Sequence, residues 1–178
     1  MQTWINKFFH HPREIGSVTP SSKFLARLMV SRIPPDAKVL ELGPGSGVFT
    51  NYILKHLKKS SNLTCIEWEQ ELAAICKKKF PSVNVINADA EDILSNDQTQ
   101  YDCIISGIPF AGMSAKKRLR TFCLIKDRLK PGGSFTMFQY SLVSYKELKN
   151  IFDNISLNFT LWNIPPAFVF TVIKDKKF

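Results

Sequence analysis

Val39-Leu40-Glu41-Leu42-Gly43-Pro44-Gly45-Ser46-Gly47 is a short apolar run that breaks into three glycines spaced two apart. The run reads as a buried strand, and the helical pattern at 48–58 makes the glycines a strand-to-helix turn. Ligands of α/β sheets bind at the carboxyl ends of such strands. Without Cβ atoms, Gly43, Gly45 and Gly47 can turn tightly and let the backbone approach a ligand. The G-x-G-x-G spacing departs from the dinucleotide pattern G-x-G-x-x-G, because Val48 holds the last position, and no Gly-Lys-Ser/Thr of a phosphate loop follows.

Outward from this turn, β-like and helical runs alternate: strand 38–42, helix 48–58, strand 63–67, helix 69–79 and strand 83–87. A strand at 101–106, a helix at 114–129 and a strand at 134–140 follow. This alternation predicts a parallel sheet covered by helices. A helix at 144–154 leads to strands at 157–162 and 167–173, separated only by Asn163-Ile164-Pro165-Pro166. So short a connection cannot make a crossover, and the last two strands should be antiparallel. Upstream, Thr19-Pro20-Ser21-Ser22 reads as the cap of a helix carrying Phe24, Leu25, Leu28, Met29 and Ile33 on one face, stopped by Pro34-Pro35.

At about 100° per residue, Met1, Trp4, Ile5, Phe8 and Phe9 share an arc of about 140°, opposite Gln2, Thr3, Asn6, Lys7 and His10. Packing on its own domain and lying in a membrane interface are both open for this segment. The chain divides into an N-terminal helical segment, 1–33, and a catalytic-type α/β domain, 34–178. With 178 residues and 44% hydrophobic content, a single core suffices.

The net charge of +9 favours polyanionic partners, nucleic acid or an anionic membrane. The basic residues fall in short groups (55–59, 77–79, 116–120, 174–177), each readable as a solvated face or as a contact site. Cys65, Cys76, Cys103 and Cys123 lie far apart without zinc-ligand spacing and read as reduced core residues of a cytosolic protein. No run approaches the roughly 20 apolar residues of a spanning helix, and no signal peptide is recognisable.

Two acids add to the glycine turn. Glu67, closing the second strand, can accept hydrogen bonds from both hydroxyls of a ribose, and Asp89, after the third, can reach the exocyclic amine of an adenine. Solvated loop acids are the alternative. Ser106-Gly107-Ile108-Pro109-Phe110 follows the fourth strand, either as an acceptor-side loop or as a tight turn with Phe110 in the core.

These residues resemble the class I S-adenosylmethionine-dependent methyltransferases. The likeness rests on E-x-G-x-G-x-G from Glu41 to Gly47, the acids after the second and third strands, and Leu129-Lys130-Pro131-Gly132-Gly133. It implies a Rossmann-like, seven-stranded, mostly parallel sheet with an antiparallel terminal hairpin and helices on both faces. It further implies S-adenosylmethionine as methyl donor, S-adenosylhomocysteine as product, and in-line transfer without a metal. The cofactor residues so implied are Glu41, Gly43, Gly45, Gly47, Glu67, Trp68, Asp89, Ala90 and Ser106.

A closer resemblance, nearly end to end, is to the bacterial phospholipid N-methyltransferases. It is carried by 15–22, 41–50, Ser106-Gly107-Ile108-Pro109 and Asn163-Ile164-Pro165-Pro166-Ala167. It implies stepwise N-methylation of phosphatidylethanolamine toward phosphatidylcholine by a peripheral enzyme with an N-terminal amphipathic helix. The expected setting is the inner leaflet of the cell membrane, with an anionic lipid surface as partner and the protein a monomer. Tyr140 is expected to position the amine or phosphate, Ser106 to meet the acceptor, and Phe110 to offer an aromatic face to the methylated ammonium.

The rival is an RNA adenine N-methyltransferase like the ribosomal dimethylases, supported by the net charge and by the partial likeness of 106–110 to Asn-x-Pro-aromatic. Against it stand serine in place of asparagine and the lack of a following helical RNA-binding domain, so nucleic acid is disfavoured as partner. A small-molecule amine methyltransferase and a non-enzymatic binding module complete the alternatives.

Overall fold

Strand β1 (Val39–Leu42) sends alternate side chains into two different cores, as the period of two in a strand requires. Val39 joins one core with Leu63, Cys65, Cys103 and Ile105, while Leu40 and Leu42 join the other with Ile66, Ile104, Phe135 and Met137. Burial on both faces explains why the strands at the sheet centre read as continuous apolar runs.

The computed structural model describes residues 20–176. After helix α1 (Pro20–Val30) and β1, the order is α2 (Val48–His56), β2 (Leu63–Glu67), α3 (Gln70–Lys79), β3 (Asn84–Asn87), α4 (Ala90–Asn96) and β4 (Tyr101–Ser106). Then come α5 (Ala115–Arg128), β5 (Leu129–Gln139), α6 (Tyr145–Ile151), β6 (Asn154–Thr160) and β7 (Ala167–Ile173). The sheet order is β3-β2-β1-β4-β5-β7-β6. Strands β1 to β5 pair in parallel, and β7 is antiparallel to both β5 and β6.

Among the described residues, α1, α2 and α3 bury residues such as Met29, Ile53 and Cys76 in one core, and α4, α5 and α6 bury Leu94, Phe122 and Leu148 in the other. The seven-stranded sheet, its terminal hairpin and the two helical layers are therefore as expected. The strand order reverses between β1 and β4, which opens the crevice where such sheets take ligands. The expected amphipathic helix at 1–10 lies outside the described residues.

Several boundaries differ from the sequence reading. Helix α4 was not anticipated; Asp89, read as a ligand residue, is its N-cap and accepts from the Glu91 N–H at 2.7 Å. Strand β5 begins at Leu129 rather than 134, because α5 runs straight into it and its register slips between Tyr101 and Cys103 of β4. Strand β6 starts at Asn154 rather than 157, since pairing with Ile173 of β7 recruits its polar residues. Helix α1 stops at Val30, before Pro34, while Ile33 is still buried. Phe24, placed on that helix's core face, is instead 44% exposed. Cys65, Cys76 and Cys103 are buried, but Cys123 lies exposed on α5 and is no core residue.

Candidate active site

The carboxyl ends of β1, β2 and β4 are fastened by backbone hydrogen bonds. Gly43 N–H donates to Ile66 O at 2.9 Å and Gly107 N–H to Leu42 O at 2.8 Å. Gly107 approaches Gly43 so closely that a Cβ on it would stand 2.6 Å from the Gly43 carbonyl oxygen. The loop after β4 therefore rests directly on the glycine turn, and only a glycine at 107 permits that.

Gly43, Gly45 and Gly47 all have left-handed φ values, 69°, 56° and 81°. Their surroundings differ. A Cβ on Gly47 would meet Phe80 at 2.3 Å and one on Gly43 would meet Ile108 at 3.1 Å, whereas nothing lies within 4 Å of one on Gly45. The turn is thus packed at both ends and open in the middle. Beside the opening, the two Glu67 carboxylate oxygens accept from Gly45 N–H at 2.9 Å and Glu69 N–H at 3.1 Å. Held by two backbone donors, Glu67 is oriented rather than solvated, and each oxygen retains a lone pair for a hydroxyl. Trp68 follows it, 72% exposed, and Asn87 ties the chain here by donating to the carbonyls of Glu67 and Trp68 at 2.8 and 3.0 Å.

Glu41 is buried beneath this turn. Its Oε2 accepts from Thr50 Oγ1 at 2.7 Å and from Cys65 Sγ at 3.3 Å, while Oε1 is buried without a partner. Desolvation by burial raises its pKa to about 7, against the opposing hydrogen bonds from Thr50 and Cys65. The hydrogen bond with Cys76, together with burial, pushes the Cys65 thiol up.

The other side of the crevice, where the acceptor is expected, is built from β4 and β5. Ser106 is fully buried and its Oγ accepts from Ile108 N–H at 3.1 Å. Phe110 points away from the crevice: it is fully buried, 4.8 Å from the Phe122 ring and 6.4 Å from that of Phe135. The aromatic face expected for a methylated ammonium is therefore not offered by Phe110; the alternative, a tight turn with Phe110 in the core, is what the chain adopts. Tyr140, just past β5, packs edge-on against Phe138 and hydrogen-bonds with Asn163. Burial raises its phenol pKa, so near neutral pH it is a protonated hydrogen-bonding group and not a base.

Two residues that shape the site were not read from the sequence. Gln139, buried at the end of β5, donates from Nε2 to Ile108 O at 2.9 Å and accepts from Ala111 N–H at 3.3 Å. Arg118 is buried against Glu147 and donates to Met113 O at 3.1 Å. Gln139 left a signal in the sequence, a polar residue ending an apolar strand. Arg118 left none, because it sits inside a basic group that reads as surface. That group is partly neutralised in any case: Arg120 pairs with Glu91 at 3.1 Å, and Lys117 lies 3.7 Å from Asp89. Among the described residues, no cluster of His, Cys, Asp and Glu could hold a metal.

An open glycine turn, an oriented acid after β2 and a helix-capping acid after β3, on a seven-stranded sheet with a terminal hairpin, make a candidate nucleoside-cofactor site of the methyltransferase kind. The comparisons agree: the family model described as a methyltransferase domain matches residues 39–133, and the chain belongs to that family. It is similar to an ornithine lipid N-methyltransferase of Singulisphaera acidiphila, 28% identical over 92% of this chain and 91% of that protein. A ribosomal RNA small subunit methyltransferase A of Malacoplasma penetrans is 33% identical, over 60% of this chain but only 39% of its own length. Among solved structures, the N-methyltransferase NodS from Bradyrhizobium japonicum, in complex with S-adenosylhomocysteine, superposes with a TM-score of 0.70. It is 13% identical and covers 92% of this chain and 91% of that one.

The chain is an S-adenosylmethionine-dependent methyltransferase. The residues present fit that cofactor: the space beside Gly45 is open, and the Glu67 carboxylate, oriented by two backbone N–H groups, keeps lone pairs that would take ribose hydroxyls. The cofactor supplies a methyl group on a cationic sulfur, already activated for displacement.

Proposed function

We propose that this enzyme methylates the primary amine of a membrane lipid, phosphatidylethanolamine, through its methylated intermediates toward phosphatidylcholine. The observation that carries the lipid reading is the extent of similarity to the ornithine lipid enzyme, nine-tenths of both chains. The ribosomal relatives match between 57% and 68% of this chain and leave most of their own length unmatched. Ornithine lipid is a second reading for the acceptor, favoured by that same relative.

In this reading Glu67 binds the ribose, Asp89 and Ala90 border the adenine, Trp68 flanks it, and Glu41, Gly43, Gly45 and Gly47 form the turn beneath the cofactor. Ser106 and Tyr140 line the acceptor side. An ethanolamine ammonium must lose its proton before it can attack, and partial desolvation under the 106–111 loop favours the neutral amine. Tyr140 then orients the headgroup as a hydrogen-bond donor. The enzyme works as a monomer at the cytoplasmic face of the cell membrane, with residues 1–33 as an N-terminal segment that holds a membrane-contacting amphipathic helix and a second helix, and 34–178 as the catalytic domain. Support comes from the amphipathic pattern at 1–10 and the net charge of +9.

Transfer of labelled methyl from S-adenosylmethionine decides the acceptor. Vesicles containing phosphatidylethanolamine should take up label, with ornithine lipid vesicles, the deacylated headgroup and unmodified ribosomal RNA run in parallel. Label confined to ornithine lipid would replace the first acceptor by the second, and label in RNA alone would overturn both.

A further inference from the structure

The connection between β6 and β7 is turned inside out. Polar Asn163 is buried, 6% exposed, and donates to Pro165 O at 2.7 Å, while its apolar neighbours Leu161, Trp162 and Ile164 are 70%, 69% and 79% exposed. Chains facing only water select the opposite arrangement. The loop is fixed in this form, since Trp162 N–H donates to Thr160 Oγ1 at 3.3 Å and the Trp162 ring stacks on Phe24 of α1 at 5.7 Å. Three large apolar groups held outward within four residues mark an interaction surface.

Its position is informative. Gln139 of β5 pairs with Phe168 of β7, so the β6–β7 connection lies on the sheet edge where β1, β2 and β4 end, the edge of the candidate active site. Leu142 and Val143, just past β5, are exposed on that same edge. Beside the patch, Lys23 and Arg27 are exposed one helical turn apart on α1, flanking Phe24. A tryptophan and branched aliphatics next to exposed basic residues match the polarity profile of a bilayer interface, apolar below and anionic above.

We propose that Leu161, Trp162 and Ile164, with Phe24, form a membrane-docking surface that inserts into an anionic leaflet and presents the active-site edge to lipid headgroups. This rests on the lipid reading of the acceptor, but its test does not need catalysis. Vesicles of phosphatidylcholine and phosphatidylglycerol hold no amine acceptor, so cosedimentation with them reads docking alone.

The full chain should partition onto these vesicles. The variant carrying Leu161→Ser, Trp162→Ser and Ile164→Ser should partition at least tenfold less while binding S-adenosylhomocysteine as the unaltered protein does. Ile75→Ser, exposed on α3, serves as a control that should bind like the unaltered chain. Equal partitioning by the triple variant overturns the proposal, as does an unaltered protein that ignores the vesicles. Tighter binding after deletion of residues 1–10 would make the patch a seat for that segment, and a dimer dissociated by the triple substitution would make it a self-contact; either result overturns it too. Docking intact with no label entering any lipid would sink the acceptor reading alone.

Discussion

Gly45 and Gly47 stand two residues apart with φ values of 56° and 81°, yet their substitution should fail in different ways. At Gly47 a methyl group collides with the Phe80 ring, which is packed in the core and would have to shift. Strain and overpacking together should cost Gly47→Ala about 3 kcal/mol. At Gly45 no atom waits, so Gly45→Ala should bear only the left-handed strain of about 1–2 kcal/mol. Its methyl would stand in the open centre of the turn, and affinity for S-adenosylhomocysteine should fall at least tenfold. Chemical denaturation and calorimetric titration of both variants separate the effects; a Gly45→Ala protein with unchanged affinity would remove the turn from the cofactor site. At this scale the glycines and Glu67 were legible, because special backbone geometry and lone acids at strand ends leave a mark in sequence. Phe110 was not, because an aromatic in a loop reads equally as core or as contact.

At the scale of elements, the loop after β4 is held by a residue of β5. Gln139 accepts from Ala111 N–H and donates to Ile108 O, which closes the ends of the loop like a brace. Gln139→Leu keeps the volume, strips the Ala111 N–H of its acceptor and leaves Ile108 O with the Phe110 N–H alone, at about 1–3 kcal/mol. The loop should then drift, and because small misplacements reduce rates steeply, kcat should fall about tenfold or more with cofactor affinity nearly unchanged. Equal losses in kcat and in cofactor binding would mean that Gln139 supports the fold in general and not the loop. Such cross-element braces are hard to read beforehand, since they join residues 28 and 31 positions apart. Helix α4 escaped for a related reason. Seven residues opened by an Asp cap are too short to show a helical period, and Asp89 already had another meaning. Strand β6 was displaced because its edge position tolerates polar residues that argue against a strand when read alone.

For the whole molecule, the alternation of apolar runs predicted seven strands in a helix-covered sheet, and the four residues 163–166 predicted the hairpin. The two cores account for that legibility, since the central strands must satisfy both faces at once. They also set a global pH dependence through Glu41, which sits in the first core with one oxygen unpartnered. Burial raises its pKa from 4.5 to about 7, so the folded protein holds this proton more tightly than the unfolded chain does. The associated stability is whole below the unfolded value and is lost as pH rises through about 7. Between pH 5 and pH 8 the loss should be about 2–3 kcal/mol. Glu41→Gln carries no such proton and keeps an acceptor for Thr50, so its stability relative to the parent should improve by that amount over the same interval. Urea denaturation of the cofactor-free proteins at the two pH values measures the difference. If the two proteins change in parallel, Glu41 is ionised throughout, and the desolvation that burial imposes must be offset by a donor reaching Oε1 in solution.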